Sequence, residues 1–195
     1  VDGSMQMIAT NMERSGIGQI YQQFELLKKK LSDEGLFDAS LKKPLPMYPM
    51  NIALVTGNNT AAREDALITL KKRWPIAKLT EYPAPVQGMD AAPKIITALQ
   101  AAEYGNHKVI MLVRGGGSIE DLWCFNDETL ARYISQMKTP IVTGIGHEID
   151  FTLVDFVSDY RANTPTGAVE AAVPDMQEVL ATLQNYRSRL MTAMR

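Results

Sequence analysis

Short apolar runs alternating with stretches whose apolar residues recur at helical spacing constrain this chain more than any other feature. Ile52 to Thr56 is the first run and ends at Gly57. Ala61 to Trp74 then reads as a helix, stopped by Pro75, and Ala77 to Tyr82 as a weaker strand. Ala91 to Tyr104 places Ile95, Ile96, Leu99 and Ala102 on one side of a helix. Val109 to Val113 is apolar at every position, the pattern of a strand covered on both faces. Asp127 to Met137 turns Leu130, Ile134 and Met137 inward, and Ile141 to Gly144 is a fourth strand. Helices are expected at Phe151–Val157 and Thr166–Ala172. Strands separated by helices imply right-handed crossovers. The expected fold is therefore α/β: an open, mostly parallel sheet of about four or more strands with helices on both faces. Ligands of such sheets bind at the carboxyl ends of the strands. The loops after Thr56, Tyr82, Val113 and Gly144 are thus the functional candidates.

Two helical flanks frame this alternation. Ile20, Phe24, Leu27 and Leu31 make one stripe of a helix from Gly18 to Glu34, with Gly35 as its stop. Pro44, Pro46 and Pro49 mark a connector. Beyond Pro174, a thin stripe of Met176, Leu180, Leu183 and Leu190 begins a long helix, either a terminal amphipathic helix or the first turns of a coiled-coil arm. Residues 5–15 are Met-rich and patternless, and Val1-Asp2-Gly3-Ser4 reads as a tag remnant. The division expected is 1–15, tag and remnant of an upstream segment; 16–50, helix and Pro-rich connector; 51–174, the α/β domain; and 175–195, the start of a helical extension.

Composition narrows the function classes. With 195 residues, 46% of them hydrophobic and 22% charged, the chain reads as an ordinary globular protein. It has no run of eighteen apolar residues and no basic-then-apolar leader, so no membrane partner is expected. A lone Cys124 cannot form an internal disulfide, which fits the cytoplasm. The net charge of −2 is a poor footprint for gripping DNA by charge alone. A tight grip would need another domain, another subunit or a local groove.

Chemistry concentrates in two loops. Arg114-Gly115-Gly116-Gly117-Ser118 follows the most apolar strand. Consecutive glycines let the backbone turn and present N–H groups to a phosphate, and Arg114 adds a planar fork for its oxygens. A tight strand-to-helix turn explains the same residues. The segment matches neither the G-x-x-x-x-G-K-[ST] nor the G-x-G-x-x-G pattern. The next strand runs into Gly144-Ile145-Gly146-His147-Glu148-Ile149-Asp150. Histidine titrates near neutrality and can move a proton, and Asp150, three residues on, can orient it, cap a helix or hold a metal. Glu120, Asp121 and Asp127 could hold a metal, though capping helices and facing solvent is the preferred reading. Trp123 and Phe125 could stack on bases, though core burial is the preferred reading. His107 is expected on the surface, and Cys124 as a small buried residue.

Several strings together resemble one family. They are Arg114-Gly-Gly-Gly-Ser-Ile-Glu-Asp-Leu-Trp-Cys-Phe-Asn-Asp-Glu128, Gly146-His-Glu-Ile-Asp-Phe-Thr-Leu-Val-Asp155 and Asp159-Tyr-Arg-Ala-Asn-Thr-Pro165. Upstream, Glu34-Gly-Leu-Phe-Asp38, Lys42-Lys-Pro-Leu-Pro46 and Tyr82-Pro-Ala-Pro-Val-Gln-Gly88 belong with them. In this order, over about residues 16–175, they resemble the large subunit of exonuclease VII. The resemblance implies hydrolysis of single-stranded DNA from either end to 5′-phosphate products. It implies functional roles for Asp65, Arg114, His147 and Asp150, while Gly115, Gly116, Gly117 and Ser118 are the candidates to hold phosphate on the loop's own chemistry. Asp65 and Asp150 are the candidates to hold Mg²⁺, if a metal is used. Partners implied are single-stranded DNA and the small subunit, the latter through the helical region. The family loop Thr-Ser-x-Thr-Gly-Ala-Ala is replaced here by Thr56-Gly-Asn-Asn-Thr-Ala-Ala62, with Asp65 retained. The family's oligonucleotide-binding domain would precede this region, so the chain by itself is expected to fold but to cut weakly. The competing expectation is a non-catalytic module that binds a nucleotide or phosphate, or an assembly scaffold.

Overall fold

A computed structural model describes residues 17–88, 90–147 and 150–194. The expected segment 1–15 lies outside them. The element order is α1 (Ile17–Asp33), β1 (Asn51–Thr56), α2 (Ala61–Arg73), β2 (Lys78–Pro83), α3 (Ala91–Tyr104), β3 (Val109–Arg114), α4 (Ile119–Leu122), α5 (Glu128–Gln136), β4 (Ile141–Ile145), α6 (Leu153–Val157), β5 (Tyr160–Ala162), α7 (Pro165–Ala172) and α8 (Met176–Ala193). The sheet runs β2-β1-β3-β4-β5 with every neighbouring pair parallel. The expected α/β class therefore holds, with one strand more than the sequence pattern showed.

Alternation along the central strands builds the two faces. Ile52, Leu54, Val109, Met111 and Val113 point to the layer of α2 and α7. Ala53, Val55, Ile110, Leu112 and Ile141 point to the opposite layer, where α1, α3, α5 and α6 pack. Every residue of β3 is buried, as expected for the middle of a doubly covered sheet.

The capping residues are those their types predict. Asp127 accepts the Leu130 amide at 2.8 Å at the head of α5, and Asp121 closes a capping box with Ser118. In the divergent loop after β1, Asn59 takes φ +53 and Thr60 caps α2 through the Arg63 amide. Asparagine tolerates that left-handed conformation better than most residues. Along α8, Leu180, Leu183 and Leu190 are exposed and no residue is buried. The helix forms as expected, with Met176 packed against the core and the rest of its stripe uncovered.

His107 departs from expectation, being buried rather than on the surface. Its Nδ1 lies 2.9 Å from Asn51 Oδ1, and its Nε2 lies 2.9 Å from the Tyr82 hydroxyl. A neutral ring satisfies both, donating from Nδ1 and accepting at Nε2. Burial, and secondarily Lys78, holds its pKa below the ordinary 6.5. The neutral form is thus favoured by folding. The stability this contributes is complete above pH 6.5 and declines as pH falls toward the folded-state value. The slope it adds is at most about 1.4 kcal/mol per pH unit. Denaturant unfolding between pH 7.5 and 5.5 should show this slope in the wild type and not in His107→Gln. Equal slopes in the two proteins would remove His107 as the cause.

Candidate active site

Arg114 ends β3 and is register partner to Ile145 at the end of β4, so the two loops leave the sheet side by side. The Gly146 amide donates to the Arg114 carbonyl at 3.2 Å and extends that pairing one step. The Arg114 side chain is 7% exposed, which is unusual for a cation. Its Nη1 donates to the Gly115 carbonyl at 2.9 Å and its Nη2 to Gln87 Oε1 at 3.2 Å, while Asp121 Oδ2 stands 3.8 Å away. These contacts use part of the guanidinium's donor set and fix the plane of its fork.

The glycines of this loop are shaped by the groups beside them. A Cβ on Gly116 would stand 2.7 Å from His147 Nδ1 and 2.9 Å from Nε2. A Cβ on Gly117 would stand 2.7 Å from Arg114 Nη2. The imidazole therefore rests on one glycine and the guanidinium on the next, whose Cα atoms are about 3.8 Å apart. A side chain at either position would push one of these groups away.

His147 is exposed, with its side chain 69% accessible, but its backbone is held firmly. Gly146 turns the chain with φ +67, a conformation open to glycine at little cost. The His147 amide donates to Asp150 Oδ2 at 2.9 Å, and the Asp150 amide donates to the His147 carbonyl at 3.1 Å. His147 Nδ1 lies 3.6 Å from the same Asp150 oxygen, close enough to form an ion pair once the ring is protonated. Arg161 Nη2 donates to the carbonyls of both His147 and Asp150, at 3.2 and 3.1 Å. Beneath them Asp155 is buried. It accepts from the Thr143 hydroxyl at 2.7 Å and from the Thr152 amide and hydroxyl at 3.0 and 2.8 Å. Burial pushes the Asp155 carboxyl above its usual range, with the Thr143 and Thr152 hydrogen bonds and Arg161 opposing the shift.

The other candidates are placed less closely. Asp65 is exposed on α2, one turn beyond Ala62, which packs on Gly115. No hydrogen bond or ion pair among the described residues joins Asp65 to Arg114, His147 or Asp150. Ser118 gives its amide to Asp121 Oδ2 and accepts the Asp121 amide, both at 3.2 Å, so its backbone donor is already occupied. The helix it caps, α4, has four residues and brings little dipole. Phe125 is fully buried and Trp123 half-buried. Burial pushes the Cys124 thiol up to about 11, so it is no nucleophile near neutral pH. Magnesium needs several oxygen ligands in near-octahedral array. Among the described residues no three of His, Cys, Asp and Glu come together, and Asp150 already accepts the His147 amide. Magnesium is commonly held by one or two carboxylates together with waters and substrate phosphates, and Asp150 is the carboxylate this turn offers.

Sequence reasoning missed two contributors, Gln87 against the Arg114 fork and Arg161 against the His147 turn. Both lie inside strings already noted, Tyr82–Gly88 and Asp159–Pro165. Arg161 reaches the His147 turn because β5 pairs beside β4, and Gln87 reaches Arg114 from the segment that follows β2.

Comparison with known proteins places the chain among relatives. The family described as "Exonuclease VII, large subunit" matches residues 36–195. The exodeoxyribonuclease 7 large subunit of Nitrosomonas eutropha is 50% identical over 192 residues, covering 98% of this chain and 43% of the relative. Its counterpart in Nitrosomonas europaea is also 50% identical, over 193 residues. That of Legionella pneumophila strain Paris is 48% identical over 189 residues, covering 96% of this chain and 43% of the relative. The chain thus spans less than half the length of these relatives.

Proposed function

The chain belongs to the exonuclease VII large-subunit family, and from that premise we propose that the edge built by Arg114 and His147 hydrolyses phosphodiester bonds of single-stranded DNA from either end, leaving 5′-phosphates. The observation that carries the reading is the seating of an imidazole and a guanidinium on adjacent glycines. Phosphodiester hydrolysis needs one group to move a proton and another to meet the negative charge that grows on phosphorus. Water attacks phosphorus, the P–O3′ bond breaks, and the departing 3′ oxygen takes up a proton from solvent. His147 takes the proton of the water at Nε2. Asp150, on the Nδ1 side, steadies the imidazolium that results. The uncommitted N–H groups of Arg114, the amides of Gly115, Gly116 and Gly117 and the Ser118 hydroxyl hold the phosphate oxygens. Asp65 orients the water from α2. No step runs through a metal.

A net charge of −2 leaves most of the DNA grip to parts of the protein beyond these residues. The small subunit docks on the helical region that begins at α8, and the enzyme works in the cytoplasm. Among the described residues no helix is long and apolar enough to cross a membrane.

The test is product analysis. The complete enzyme should shorten single-stranded DNA labelled at either end, and every oligonucleotide released should carry a 5′-phosphate. Products ending in 3′-phosphates, or a preference for duplex, would overturn the reading.

A further inference from the structure

We propose that the cleft beside Asp150 is a stacking subsite for the nucleobase adjoining the scissile phosphate; this rests on the nuclease reading above. The cleft encloses about 150 Å³ between α1, the segment from Ile119 to Asn126 and the turn from Asp150 to Thr152. Asp150 forms part of its wall, so the cleft opens from the same turn that carries His147. Whatever binds there lies next to the reacting phosphate.

The walls have the chemistry of a base site. Tyr21 is 62% exposed, Phe151 is 50% exposed and Trp123 is half-buried, all three lining the cleft. Exposed rings clustered in a concave surface mark a place where something binds. Two neighbours fix the Phe151 ring, which stays half-exposed. The Arg161 guanidinium lies 3.8 Å from its ring centroid, and the Phe156 ring stacks at 5.9 Å. The same guanidinium holds the His147 and Asp150 carbonyls, so the ring and the proton-transfer group are fixed to one support. A platform held this way loses little freedom when a base settles on it. Asn126 adds the polar element. Its Oδ1 accepts the Leu153 amide, which leaves the amide NH₂ as the group it offers to a base edge on the cleft wall. Stacking is tolerant of sequence because every base has a π face. It also supplies binding that a net-negative chain cannot draw from phosphate neutralisation.

The experiment uses the complete enzyme and single-stranded oligonucleotides of one length, each with one abasic site moved stepwise from the labelled end. Wild-type enzyme should slow or pause at one register, where the missing base would occupy the cleft. Phe151→Ala should raise KM by roughly 5- to 150-fold, the range for loss of one stacked base, and should pass the abasic site without a pause. Phe151→Trp should restore the pause, and Phe151→Leu, apolar but without a ring, should not. If Phe151→Ala fails to fold, the Trp and Leu variants decide alone. Wild-type enzyme indifferent to every abasic position would overturn the proposal. So would a Leu variant that behaves as wild type, or a Phe151→Ala enzyme that only loosens the assembly, as expected if another segment fills the cleft. His147→Ala is run in parallel. Cleavage lost there while Phe151 proves irrelevant sinks the subsite alone, and cleavage retained there sinks the nuclease assignment itself.

Discussion

Replacing His147 with alanine in the complete enzyme is expected to lower the rate of single-stranded DNA cleavage roughly 10²- to 10⁴-fold, the usual contribution of a positioned acid–base group. The loss should fall on kcat. DNA affinity should change little, because one imidazole adds little to a grip made mainly by phosphate neutralisation. The structure gives a reason to expect the variant to fold normally. The turn is held by Gly146, by the His147 amide on Asp150 and by Arg161 on the two carbonyls, and none of these uses the imidazole. The side chain itself is largely exposed and leaves no cavity in the core when removed. Thermal unfolding should therefore match the wild type within a degree or two while cleavage collapses. Cleavage and filter binding measured on the same preparation separate the outcomes. Near-normal cleavage would remove His147 from the mechanism, and lost binding would make it a substrate contact instead.

The parts of this molecule that were legible in the sequence are those whose physics is local. β1, β3 and β4 are apolar runs because both faces of the strand are covered, and α3 could be bounded to the residue because its stripe and its flanking breakers agree. β5 was missed because it has three residues, of which Ala162 alone is buried. No period can show in so short a run, and its place is set from outside, by Asp159 accepting the Ile141 amide at 2.8 Å. Residue type, position after two strands and resemblance made Arg114, His147 and Asp150 candidates, and the structure brings these three to one edge. A linear sequence does not announce which neighbours hold them. Gln87 lies 27 positions from Arg114, and Arg161 lies 14 from His147. His107 was misjudged for the same reason. The turn beside it looks solvent-facing, while the partners that make burial tolerable, Asn51 and Tyr82, sit 56 and 25 residues away. Asp65 marks the opposite case. Resemblance marks it for a role, yet the described contacts do not tie it to the other three.

Arg114→Lys is the substitution that best tests whether the glycine loop after β3 binds the transition state or merely supplies charge. Lysine keeps the positive charge, so long-range attraction for DNA is retained. What it cannot keep is the planar fork. In the structure that fork donates to the Gly115 carbonyl and to Gln87 at once and lies flat against Gly117. An ammonium in this largely buried place would have to choose among those partners. The Gly115 carbonyl or Gln87 would lose its donor, and the loop of three glycines would lose the strut that fixes its path. The expected result is a fall in kcat of roughly 10²–10³, the scale for removing one preorganised donor to a developing oxyanion, with a smaller rise in KM. Gly117→Ala should reproduce much of the defect with Arg114 intact, because the added Cβ would intrude on the guanidinium. Single-turnover cleavage with saturating enzyme reads the chemical step apart from binding. If lysine supports full activity, Arg114 acts only as diffuse positive charge, and the stabilisation of the phosphate must come from the glycine amides alone.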